Sequence, residues 1–122
     1  MKYRLAEPAD VPAIYDIETM SFKTPWSLES LQSDICSNDS AYYFVAEHDG
    51  KVVGFCGVHV ILNEGHIMNV AVAPDYRGQG IGEALLRTAT SQILNSSRDF
   101  SIALCDARAR LVAQADHIPV HV

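Results

Sequence analysis

Three glycines fall at every second position in Arg77-Gly78-Gln79-Gly80-Ile81-Gly82, between the apolar run N-V-A-V-A-P (69–74) and E-A-L-L-R-T-A (83–89). The chemistry this arrangement suits is anion binding. A helix N-terminus presents backbone N–H groups with no intrahelical acceptor, together with the positive end of the helix dipole. Glycine permits positive φ and lets a ligand approach the backbone without meeting a Cβ. Arg77 can add a charge-assisted hydrogen bond to the same anion. A strand, this loop and then a helix would make a pyrophosphate cradle. Spacing excludes two nucleotide readings. A P-loop needs a lysine after its last glycine, and Glu83 follows Gly82. A dinucleotide fingerprint counted from Gly78 or Gly80 reaches Glu83 or Leu85 where its last glycine belongs.

The loop must be carried by defined elements. Residues 8–22 read as a helix, with Asp10 as a cap, Pro12 early, and Val11, Ile14, Ile17 and Met20 recurring every three residues. T-P-W-S (24–27) breaks that pattern, and Ser27 caps a second helix running to about Ile35. A-Y-Y-F-V-A-E-H (41–48) and K-V-V-G-F-C-G-V-H-V-I-L (51–62), joined by Asp49-Gly50, read as a hairpin. Gly54 and Gly57 inside its second strand point to a bulge or a close backbone approach. H-I-M-N-V-A-V (66–72) is a third strand, and 80–94 a helix stacking Leu85, Ala89 and Ile93. N-S-S-R-D (95–99) reads as loop, F-S-I-A-L (100–104) as a short strand, and 109–115 as a helical turn or two. No repeat or linker divides the chain, so a single domain is expected.

Composition narrows the class. With 9 basic against 15 acidic residues the formal net charge is −6, which argues against a nucleic-acid binder. The N-terminal residues M-K-Y-R-L-A-E-P-A-D lack the apolar core of a secretion signal, and no apolar run approaches the length of a membrane span. Three separated cysteines without C-x-x-C spacing suggest free thiols in a cytoplasmic protein, with no zinc site.

The spacing that fits residues 77–82 is R-x-x-G-x-G. With N-V-A-V-A-P-D-Y before it, this resembles the acetyl-CoA-binding motif of the GNAT superfamily of N-acetyltransferases. Upstream, E-P-A-D-V-P-A-I, the stretch of Phe22, Pro25, Trp26 and Ser27, and N-E-G-H-I-M-N-V-A-V resemble the bacterial ribosomal-protein-alanine N-acetyltransferases. The resemblance runs from residue 1 to about 92 and implies an α/β fold, a mixed antiparallel and parallel sheet flanked by helices. It implies acetyl-CoA as cosubstrate and the N-terminal amine of a protein, of ribosomal type, as acceptor. The backbone of Val70, Ala71 and Val72 would pair with the pantetheine arm like an added strand. The N–H of Val72 would polarise the thioester carbonyl, and Arg77, Gly78, Gln79, Gly80, Ile81 and Gly82 would hold the pyrophosphate. Trp26 is expected in core or lid packing rather than on substrate.

Past residue 92 the pattern departs. In the resembling family the next strand ends in L-E-V-R-x-S-N and the next helix carries A-x-x-L-Y, supplying a proposed base and acid. Aligning F-S-I-A-L with that strand puts Cys105 at the Glu position and Asp106 one residue on, on the other face. No tyrosine follows Tyr76. Residues 93–122 are therefore expected to be a divergent tail on a domain truncated at its C-terminal end, as a reading-frame change near residue 92 would produce. That predicts weak or lost turnover, and an open sheet edge through which copies of the chain could associate or a partner strand be recruited. A non-catalytic CoA-binding remnant is the alternative. Glu64 and His66, upstream of the thioester position, remain as candidate acid–base residues. His59 is assigned to packing or surface. His117 and His121 do not complete a metal site, and Cys105-Asp106 lacks a histidine to serve as a nucleophile pair.

Overall fold

The computed structural model describes residues 1–61, 64–96 and 120–121. Its elements follow in the order β1 (Lys2–Leu5), α1 (Val11–Ser21), α2 (Leu28–Ser37), β2 (Ala41–His48), β3 (Lys51–Ile61), β4 (Glu64–Val72), α3 (Ile81–Ser96) and β5 (Val120–His121). Short 3₁₀ turns at Pro8–Asp10 and Pro74–Tyr76 precede α1 and the glycine loop. The five strands lie side by side in sequence order, β1 to β4 antiparallel and β5 parallel to β4. This is the mixed sheet with flanking helices that the sequence implied. The readings placed on 100–104, on 109–115 and on Cys105, Asp106 and His117 lie outside the described residues.

Two apolar layers sandwich the sheet. On one face α3 lays Ile81, Leu85, Ala89 and Ile93 on Phe44, Val58, Val70 and Val72. On the other, α1 and α2 pack Val11, Ile14, Ile17 and Leu31 against Tyr43, Val45, Phe55 and Ala71. The hairpin turns at Asp49 and Gly50, both in the left-handed region at φ 51° and 78°, as a two-residue turn matched to strand twist requires. Ser27 caps α2 as expected, its Oγ accepting from the Ser30 N–H at 3.1 Å.

Four expectations need correction. Asp10 does not cap α1: its carboxylate takes Arg4 Nη1 at 2.8 Å and the Glu7 N–H at 2.7 Å. Met20 leaves the inner stripe and is 54% exposed, because Glu18 and Ser21, four and seven residues after Ile14, take the buried side. Asn95 and Ser96 continue α3 instead of starting a loop. The outer edge of β4 is covered at Val70 and Ala71, which pair with Val120 and His121, so it is not open along its whole length.

Cys56 sits fully buried on β3, and burial pushes its thiol up to about 12. Cys36 is exposed on α2. Iodoacetamide at neutral pH is therefore expected to label Cys36 in the native protein and to spare Cys56 until denaturant is added. Peptide mass mapping reads the difference, and equal labelling of the two would contradict this core.

A glycine-loop cradle and an acidic cleft on either side of β4

The glycine loop leaves the C-terminal end of β4 through Pro74–Tyr76 and enters α3 at Ile81. Gly78 and Gly80 both hold left-handed backbone, at φ 79° and 80°. A Cβ on either would meet nothing within 4 Å, so the space beside them is open. Gly82 differs: it lies buried in the first turn of α3. The first helical bond runs from the Ala84 N–H to the Gly80 C=O at 3.0 Å. The N–H groups of Ile81, Gly82 and Glu83 thus precede any intrahelical partner. Three donors converging beside two left-handed glycines fit a pyrophosphate, with Gln79 exposed between those glycines.

Arg77 is placed differently from its sequence reading. Its Nε donates to the Val72 C=O at 2.8 Å and its Nη2 to Ser21 Oγ at 3.0 Å. The guanidinium therefore ties the end of β4 to the end of α1. Arg77→Ala is expected to remove about 1.5–3 kcal/mol of stability, as for hydrogen bonds to a charged group. An unchanged melting temperature would contradict this bracing role.

The strand ladder decides which backbone groups are available. The Ala73 N–H donates to Val53 C=O at 2.7 Å, and bonded pairs alternate along an antiparallel ladder. Ala71, opposite Phe55, is thus turned to β3, whereas Val70 and Val72 turn N–H and C=O to the outer edge. Val70 faces β5 there. Val72 ends the paired stretch, its C=O held by Arg77 and its N–H on the edge where His121, opposite Ala71, covers β4. Of the three residues assigned to the pantetheine arm, Val70 and Val72 turn their backbone groups to the edge that β5 pairs, and Ala71 does not.

On the opposite side of β4 the structure shows a site the sequence reading missed. The register steps from Gly57↔Asn69 to Val58↔Ile67, leaving Met68 as an extra residue. Asn69 shares the α1 face of the sheet with Ala71, two residues on, and its Nδ2 donates to Glu18 Oε1 at 2.5 Å. The other carboxylate oxygen of Glu18 accepts the Trp26 N–H at 3.1 Å. Burial holds the Glu18 carboxyl above the usual carboxylate range, against the opposing pull of those two hydrogen bonds. Glu18, Asn69, Trp26 and Met68 line a cleft of about 490 Å³ beneath the α1–α2 connection. The available signal was Glu18 itself, four residues after Ile14 and seven after Val11, on the stripe that faces the sheet.

Further along the same face, His59 Nε2 lies 2.7 Å from Asp34 Oδ2, and Tyr43 Oη donates to that oxygen at 3.0 Å. Burial pushes the Asp34 carboxyl up, but the hydrogen bonds from His59, Asn38 and Tyr43 outweigh it and hold the group below its ordinary range. His59 packs edge-on to Trp26 with ring centroids 6.3 Å apart. Trp26 is thus partly buried in the α1–α2 layer and also walls the cleft. His66 is the cross-strand partner of His59 and so lies on this face. Glu64 opens the same strand two residues earlier. Among the described residues no three metal-ligating side chains come together, and no helix is long and apolar enough to cross a membrane.

The profile of the acetyltransferase (GNAT) family matches residues 11–113. The chain belongs to this family. Among GNAT relatives, the ribosomal protein bS18-alanine N-acetyltransferase of Escherichia coli (strain K12) is 39% identical over 82 residues, 66% of this chain and 53% of that protein. The chain spans about half the length of the curated relatives it matches. The crystal structure of the Escherichia coli ribosomal-protein-S18-alanine N-acetyltransferase superposes with a TM-score of 0.71 at 29% identity, covering 87% of this chain and 74% of that one. Mycobacterium tuberculosis Rv2747, crystallised with CoA and NLQ, gives a TM-score of 0.64 at 32% identity, covering 82% and 59%. This GNAT chain therefore shares its fold with the Escherichia coli acetyltransferase and with the CoA-bound Rv2747.

Proposed function

We propose that this chain transfers acetyl from acetyl-CoA to the N-terminal amine of a protein in the cytoplasm, with an acceptor of the ribosomal type that its relatives' names carry. The observation that carries the reading is the junction of β4 and α3. Two left-handed glycines lead from the end of β4 into the N-terminus of a long helix, whose first intrahelical bond begins at the Ala84 N–H. Ile81, Gly82 and Glu83 would hold the pyrophosphate through their N–H groups, and Val72, on the edge that β5 pairs, would donate to the thioester carbonyl oxygen once that pairing gives way. Arg77 keeps that strand end in place. The acceptor nitrogen forms a bond to the acetyl carbon as the carbon–sulfur bond breaks; the amine gives up a proton and the departing thiolate takes one. His66, on the cleft face of β4, and Glu64 are the residues we assign to the amine's proton, directly or through water.

A second reading, a chain that holds CoA without turnover, is favoured by one specific observation. Residues 93–122 depart from the family pattern, and no tyrosine stands among residues 77–122. The division into a family-like part, 1–92, and a divergent tail, 93–122, belongs to the same reading. Two measurements separate the possibilities. A rise in melting temperature with acetyl-CoA reports binding to the folded state. Thiol release from acetyl-CoA in the presence of an alanine-starting peptide reports transfer. Binding without release supports the second reading, and neither signal would remove both.

A further inference from the structure

We infer that Glu18 is the carboxylate that receives the acceptor's α-amino group at the floor of the cleft between α1, the α1–α2 connection and β4. This rests on the transfer reading above but is carried by different observations. Glu18 is 1% exposed, yet it borders the cleft. Both of its hydrogen-bond partners are neutral groups, the Trp26 N–H and the Asn69 amide. A carboxylate offers about four acceptor sites, of which these use two. Among the described residues Glu18 forms no ion pair. Lys23 lines the same cleft but is exposed and leaves Glu18 unpaired.

Buried carboxylates are ordinarily matched by a cation, because two neutral donors do not offset the loss of hydration. This site is one positive charge short, and the cavity beside it has room for a ligand that brings the charge. A second mismatch lies next to it: among the described residues, Asn69 Oδ1 is buried without a hydrogen-bond partner. An ammonium group supplies a charge and three N–H donors, the two things lacking here. Trp26 and Met68 would flank the residue that carries it.

The test compares an alanine-starting peptide with its Nα-acetylated counterpart, binding to wild type and Glu18→Gln by calorimetry. Wild type is expected to prefer the free amine by about tenfold or more, the discrimination of a charge-assisted hydrogen bond. Glu18→Gln should lose that preference while binding the acetylated peptide as before. If Glu18 only shapes the cleft, the variant weakens both peptides alike, and that outcome overturns the assignment. Absence of any preference in wild type overturns it as well. Should the variant not fold, carbon-13 NMR of the wild-type Glu18 carboxyl decides: it should respond to the free-amine peptide and not to the acetylated one. The melting-temperature response to acetyl-CoA is read in parallel. A chain that responds to acetyl-CoA but ignores the amine sinks this inference alone. One that selects the amine without responding to acetyl-CoA sinks only the transfer reading.

Discussion

Gly80→Asp is expected to abolish the rise in melting temperature that acetyl-CoA gives the wild-type chain. Gly80 sits at φ 80° immediately before α3. A side chain there costs about 1–2 kcal/mol for left-handed backbone. Aspartate tolerates that region better than most residues, so the unliganded protein should lose little stability. The anion site fares worse. If the backbone relaxes to an extended conformation, the new carboxylate caps the N–H groups that the pyrophosphate needs. If it stays left-handed, a negative charge stands in the open space beside Gly80 and repels the phosphates. A ligand at a hundred times its Kd stabilises by about 2.7 kcal/mol, and that increment should vanish. Retention of the full ligand shift by this variant would show that CoA is held elsewhere.

Gly57→Ala should be the most damaging small substitution in the sheet. A Cβ at Gly57 would lie 2.8 Å from Tyr43 Cε2 and 2.9 Å from both Tyr43 Cζ and Asn69 Oδ1. Tyr43 cannot easily yield, since its ring stacks on Phe55 and its hydroxyl is bonded to Asp34. Asn69 is held by Glu18. Overpacking of this kind costs about 1–3 kcal/mol, or a fall of several degrees in melting temperature for a domain of this size. Because the clash pushes on Asn69, the loss should extend to peptide binding in the cleft. Gly50→Ala meets no atom within 4 Å, so any loss there reflects only its φ of 78°. Equal stability loss in the two variants would contradict the tight contact at Gly57.

The parts of the fold written in local signals were legible before the structure. Asp49-Gly50 between two strand-like runs specified the hairpin, and the spacing of Leu85, Ala89 and Ile93 specified the buried stripe of α3. The glycine loop was legible because left-handed backbone leaves a compositional mark. What escaped depends on distant partners. β1 has only four residues and is held by Arg4, whose guanidinium bridges Asp10 and Glu47 across the sheet edge. Arg77 reads as an anion ligand from its neighbours in sequence, but Ser21 and the Val72 carbonyl claim it in space. Glu18 was hidden by a regular apolar repeat ending at Met20; a three-residue period drifts around a helix, so its last member faced solvent while the carboxylate stayed inside. The Met68 bulge between Ile67 and Asn69 leaves no mark in its own residue type.

We propose that the β4–α3 junction holds acetyl-CoA so that this chain acetylates a protein N-terminus. Incubation of the purified chain with acetyl-CoA and an alanine-starting peptide, followed by fragment mass spectrometry, tests it most directly. One added acetyl group is expected on the α-amine, none on lysine side chains, and none with Gly80→Asp. An unmodified peptide, or equal modification by the Gly80→Asp variant, would contradict it.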